Sequence, residues 1–268
     1  MAEADLSSIT HRFGLTARKD AWWVRPLVIF ICLTAFVIYA TWAAFQGKHY
    51  FYGPYLSPLY SPEIFGDSPH SWLGSKPGGW PSFIPFSPAL LILWAPGVFR
   101  LTCYYYRGAY YKSFFRDPVS CAVSESKRRY TGERAFPLIM QNVHRYFLYI
   151  ALVFLVILAH DVWKALWFTD ARTGVRTFGI GVGTLILCGN TVFLSGYTFG
   201  CHSLRHVVGG VRDRLSGSPV RRKMFQCAGC FNRRHMLWAW MSLFSVAFSD
   251  IYIRLCSMGI WTDWKILL

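Results

Sequence analysis

Long uncharged stretches constrain this chain more than any other feature. A helix needs roughly 20 apolar residues to cross about 30 Å of hydrocarbon at 1.5 Å per residue, and residues 26–45, 83–106, 140–163, 177–204 and 235–256 each meet that length. The first and fourth blocks hold no Asp, Glu, Lys or Arg, the second is interrupted only by Arg100, and the fifth carries Asp250 and Arg254. The third has His144 and Arg145 at its start and His160 and Asp161 at its end. These blocks predict an all-α polytopic membrane protein, five transmembrane helices in a bundle, with residues 1–268 forming one transmembrane domain. A mean hydropathy of +0.30 lies above the range of soluble domains of this length. The first 25 residues mix Glu3 and Asp5 with bases and contain no short apolar core, so no secretory signal is expected and the first block remains a span.

The formal net charge of +15 would suit a nucleic-acid partner if the bases covered one solvated face. Instead they sit between the apolar blocks. Arg12, Arg18, Lys19 and Arg25 precede the first, a run from Arg107 to Arg134 separates the second from the third, and a run from Arg205 to Arg234 separates the fourth from the fifth. The alternate segments are poor in bases. By the positive-inside rule the rich set is cytoplasmic, which gives an odd number of spans, a cytoplasmic N-terminus and an external C-terminus. No nucleic-acid partner is expected, and the loops have anionic lipid as an ordinary partner.

The outer segment from Gln46 to Pro81 is rich in Pro, Gly, Tyr and Ser and is expected to form an ordered cap without long secondary structure. Pro85, Pro88 and Pro96 should kink the second block, which lipid tolerates only where neighbouring helices satisfy the freed carbonyls. Six glycines in the fourth block, among them Gly179, Gly196 and Gly200, leave room for close helix approach. Asp250 and Arg254 are i,i+4 neighbours, expected to form an intramembrane ion pair near the outer side.

With this topology Cys103, His144, Cys201, His202, His206 and His235 all fall near the cytoplasmic ends of spans two to five. Groups of this kind at membrane depth are costly unless paired or coordinated, so such a layer points to function. Cys201 to His206 and Cys230 to His235 repeat a Cys-x4-His spacing, and His202 and His206 share one helical face. Cys227 and Cys230 form C-x-x-C, a metal-ligand spacing of modest specificity. Three cofactors suit the layer. Haem b would take two histidines, for example His144 and His206; structural zinc would take Cys227, Cys230 and two histidines. A Rieske-type [2Fe–2S] cluster takes two cysteines on one iron and two histidines on the other. Charge favours the last, because two ferric ions, two sulfides and two thiolates cancel, whereas four thiolates would bury a net negative charge.

The strings Cys103 to Arg107 (CYYYR), Asp117 to Val123 (DPVSCAV), Gln141 to Tyr146 (QNVHRY), Cys201 to Gly210 (CHSLRHVVGG) and Asn232 to Met236 (NRRHM) resemble the membrane anchor of actinobacterial succinate dehydrogenases, in particular the single-anchor, haem-free mycobacterial type. The resemblance runs from about Pro26 onward. It implies a subunit of complex II in the bacterial plasma membrane, with flavoprotein and iron–sulfur partner subunits on the cytoplasmic side and no succinate chemistry in this chain itself. It further implies a membrane-embedded Rieske-type cluster that passes electrons to quinone, either menaquinone or ubiquinone. The expected cluster ligands are Cys121, Cys201, His206 and His235, with Cys103, Cys230, His202 and His144 as second choices, all but Cys230 lying within these strings. Tyr104, Arg107, His144, Arg145 and Tyr146 are the expected quinone-binding residues. Two other readings compete: a dihaem cytochrome b anchor, and, from another class, a non-redox transporter or scaffold using His160, Asp161, Asp250 and Arg254.

Overall fold

The computed structural model describes residues 20–21, 23–81, 83, 85–103, 105–106, 139–170, 173–209 and 218–268. Helix α1 (Val24–Gln46) opens the bundle and ends at Gly47, whose φ of 57° puts it in the left-handed region that glycine adopts without strain. The chain then folds back as the expected cap, whose regular structure among the described residues is a small hairpin of β1 (Phe51–Tyr52) and β2 (Tyr55–Leu56). Aromatic side chains fasten the cap to the bundle: Tyr60 donates to the Ala43 carbonyl at 2.6 Å and stacks on Tyr50 at 4.3 Å. Tyr50 in turn donates to the buried Glu63 at 2.8 Å.

The second apolar block departs from a continuous span over residues 83–106. Helix α2 (Pro88–Ile92) begins at a proline, and after Leu93 the chain restarts as α3 (Trp94–Thr102). Pro96 lacks the N–H that would bond the Ile92 carbonyl, so the ladder breaks there. The third block is one helix, α4 (Ile139–Lys164). The fourth also differs from expectation. Its first residues form β4 (Arg176–Gly181), paired antiparallel with β3 (Trp167–Thr169) and with β5 (Lys265–Leu267), and the helix α5 runs only from Val182 to Phe199. Gly179 is what admits β5, since a Cβ there would lie 2.7 Å from the Ile266 carbonyl oxygen. A turn at Gly200 and Cys201 leads to a short helix α6 (His202–Gly209), then α7 (Pro219–Asn232) and α8 (His235–Ser257).

Among the described residues four helical segments are long and apolar enough to cross a membrane: Val24–Gln46, Asn142–Lys164, Val182–Phe199 and His235–Ser257. The bundle has two polar ends. At the cap end Ser61 donates to Asp161 of α4, Arg254 of α8 donates to the Lys48 carbonyl at 2.8 Å, and Asp250 and Arg254 pair at 3.2 Å as their spacing predicted. At the other end α3, α4, α5 and α8 bring Thr102, His144, Cys201 and His235 to one level, within an apolar cluster that includes Leu33, Phe99, Leu148, Tyr197 and Leu243.

Helices α5 and α8 pack closely because Gly196 faces the Trp238 ring, where a Cβ would come within 2.6 Å. Gly196→Ala is therefore expected to force these helices apart. The expected cost is about 1–3 kcal/mol, typical of overpacking, read as a lowered unfolding temperature of the detergent-purified protein.

Candidate functional site

Two thiol–imidazole pairs lie side by side at the end of the bundle opposite the cap. His144 Nε2 is 3.0 Å from Cys201 Sγ, and His235 Nε2 is 3.6 Å from Cys103 Sγ. The pairs come from four different elements: Cys103 caps α3, His144 is in the first turns of α4, Cys201 follows α5, and His235 opens α8. Cys103, Cys201 and His144 are buried, exposed by 3%, 2% and 4%.

Local structure fixes each member. Cys201 is set by the turn after α5, where its N–H bonds the Thr198 carbonyl at 3.2 Å and Asn232 Nδ2 donates to the Gly200 carbonyl at 2.8 Å. His144 lies flat on the Phe99 ring at 4.5 Å, and His235 lies on Tyr197 at 5.0 Å. With its proton on the Val98 carbonyl at 2.7 Å, the Thr102 hydroxyl accepts from His144 Nδ1–H at 2.9 Å. In that tautomer His144 Nε2 keeps its lone pair and faces the Cys201 sulfur, which is how a ligand imidazole is held by its second nitrogen. His235 Nδ1 is buried and has no hydrogen-bond partner among the described residues.

A cavity of about 710 Å³ opens onto this layer, and Cys103, His144, Cys201, His202, His206 and His235 all line it. The six residues expected to share one level do so. They are not equivalent, however. His202 and His206 pair with each other, Nε2 to Nε2 at 3.0 Å, and not with a cysteine. Desolvation, then the neighbouring His206 and Arg205, hold the His202 imidazole below its ordinary range. Arg145, Asn142, Tyr105, Ser203 and Asn232 complete the polar part of the wall.

The remaining sequence candidates are placed as follows. Cys227 and Cys230 are exposed on α7 and do not line the cavity. Tyr146 is 70% exposed and points elsewhere, while Cys121, Tyr104 and Arg107 lie outside the described residues. Phe99, Thr102 and Tyr197 escaped the sequence reading. Thr102 had adjacency to Cys103 as its one signal, and Phe99 and Tyr197 had none in a chain that is 18% aromatic.

Two thiols and two imidazoles are the donor types of a mixed [2Fe–2S] centre, and among the described residues no carboxylate lines the cavity. Cys103 and Cys201 line the same cavity, as do His144 and His235. Among the described residues no three or more His, Cys, Asp or Glu side chains are grouped so as to hold a metal ion. The close contacts are two mixed thiol–imidazole pairs.

Comparison with known proteins gives the lineage. No curated protein matches the chain significantly. A solved chain from the Mycobacterium smegmatis Sdh1 complex in the apo form is similar at 42% identity, covers 94% of both chains and superposes with a TM-score of 0.81. A family model described as actinobacterial succinate dehydrogenase subunit SdhC matches residues 24–259, nearly the whole helical bundle and both thiol–imidazole pairs within it. This chain belongs to the actinobacterial SdhC family and is a membrane anchor subunit of succinate dehydrogenase.

Proposed function

We propose that this anchor passes electrons from the iron–sulfur subunit of its complex to membrane quinone through a Rieske-type [2Fe–2S] centre held by Cys103, Cys201, His144 and His235. The observation that carries this reading is the gathering of two buried thiols and two imidazoles, from four separate elements, in the wall of one cavity. The set keeps Cys201 and His235 from the sequence reading and puts Cys103 and His144 in place of Cys121 and His206. When bound, the centre supplies one-electron transfer; the rest is the work of the chain's own residues. Thr102 sets the His144 tautomer, and the Phe99 and Tyr197 rings hold the two imidazoles flat and keep water off their faces.

Quinone reduction takes two electrons and two protons, so the quinone carbonyls need donors near the electron source. Arg145 and Asn142, in the wall of the 710 Å³ cavity, are in place for this; Tyr104 and Arg107 are proposed from sequence alone. The base-rich segments between the apolar blocks would dock the iron–sulfur subunit, with the flavoprotein beyond it. We place that end in the cytoplasm with the N-terminus and the C-terminus outside, on the strength of the base-rich segments. The broken pair α2–α3 makes the fifth crossing. Membership of a succinate dehydrogenase family leaves no ground for the carrier or scaffold reading.

Electron paramagnetic resonance, with iron and acid-labile sulfide analysis of the isolated complex, tests the proposal. A paramagnetic signal that disappears in a Cys201→Ser anchor, while the partner subunit's signals persist, is the expected result. A reduced b-type haem band in the optical spectrum of the wild-type complex would overturn it in favour of the dihaem anchor.

A further inference from the structure

The protein treats its two deeply placed arginines differently. Arg254 is neutralised by Asp250 at 3.2 Å. Arg100, on α3 three residues before Cys103, has no carboxylate within ion-pair distance among the described residues. It is held by neutral groups: it donates to the Tyr106 hydroxyl at 2.6 Å, to Ser242 Oγ at 2.9 Å and to the Ala239 carbonyl at 3.4 Å. Its guanidinium carbon also lies 4.8 Å from the centre of the Tyr197 ring, and that ring stacks on the His235 imidazole at 5.0 Å. These two distances put the guanidinium no more than about 10 Å from His235, a range over which a charge in a low-dielectric setting still acts strongly. On its far side Arg100 borders a separate, largely apolar cavity of about 410 Å³ between α1, α3 and α4, where bulk water would not screen it.

An unpaired cation at this depth is costly unless a negative charge appears nearby. The thiol–imidazole layer supplies one. With two thiolate and two imidazole ligands the oxidised centre is neutral, and one added electron makes it singly negative. We infer that Arg100 is a positioning residue for electron transfer: a fixed positive charge that stabilises the reduced centre held by Cys103, Cys201, His144 and His235 and so raises its midpoint potential. This rests on the cluster reading above. Several neutral contacts hold the guanidinium still, so its field is present before the electron arrives and needs no rearrangement.

Redox titration followed by electron paramagnetic resonance on the assembled complex reads this directly. In Arg100→Gln, which keeps hydrogen-bonding capacity but not charge, the midpoint is expected to move to a more negative potential, and in Arg100→Lys to stay near the wild-type value. Should Arg100→Gln fail to assemble, Ser242→Asp sets a carboxylate against the guanidinium and cancels its charge in place, with a shift of the same sign expected. An unchanged midpoint in the charge-removing variant, or equal shifts in Gln and Lys, would overturn the role of Arg100 while leaving the centre itself intact. Absence of any cluster signal in the wild-type complex would instead remove the reading on which this inference stands.

Discussion

Asp250→Ala is expected to cost about 3–5 kcal/mol, the usual penalty for removing one partner of a buried ion pair. Asp250 is fully buried and accepts hydrogen bonds from Tyr39 and Ser57, each at 2.5 Å, besides its contacts with Arg254. Those partners lie on α1, in the cap and on α8, so one carboxylate ties three parts of the molecule together. Its loss leaves Arg254 buried with the Lys48 carbonyl and the Trp42 ring as its company. Since folded proteins are stable by only about 5–15 kcal/mol, the variant should assemble poorly, with a lowered unfolding temperature and a cap open to limited proteolysis. Removing both charges, as Asp250→Ala with Arg254→Met, should recover much of the loss, because the larger part of it is the stranded charge. A double variant as unstable as the sum of its parts would show that the pair acts through packing alone.

The second large effect concerns the ligand set. His144→Ala is expected to abolish the paramagnetic signal of the anchor and to stop quinone reduction, while succinate oxidation by a soluble dye continues in the partner subunits. Thr102→Val should do less. It removes the group that receives the His144 Nδ1–H, and loss of such an orienting partner typically costs roughly 10–100-fold in metal affinity or activity. His206→Ala should keep the signal, because His206 faces His202 and not a cysteine. The opposite pattern, a signal lost with His206 and retained without His144, would sink the quartet and restore the set of Cys121, Cys201, His206 and His235. The variants are compared in one assembled complex, so a general folding defect would appear as loss of the partner subunits and not as this selective pattern.

How far the site was legible follows from the same residues. Chain order and hydropathy were enough to place six Cys and His side chains at one level, because antiparallel helices of fixed rise put their matching ends together. Which of the six face one another depends on the rotation of each helix about its axis. In a soluble protein an amphipathic stripe would report that rotation. Here the lipid-facing and packed sides of a span are both apolar: on α4 the buried Leu148 and the exposed Val153 and Val156 are alike in hydropathy. The pairing of Cys201 with His144 and the turning of His206 toward His202 were therefore hidden in the sequence.

By itself the sequence determined that the chain is a helical membrane protein, that the segment after its first helix is a cap, and that Asp250 pairs with Arg254. Each of these is a local property, set by segment length, by composition or by an i,i+4 spacing that any helix enforces. The tertiary structure alone decided the strand that replaces the first residues of the fourth block, the association of thiols and imidazoles into two pairs, and the isolation of Arg100 from any described carboxylate. These depend on which surfaces of distant segments meet, and that is settled by close packing at residues such as Gly179 and Gly196.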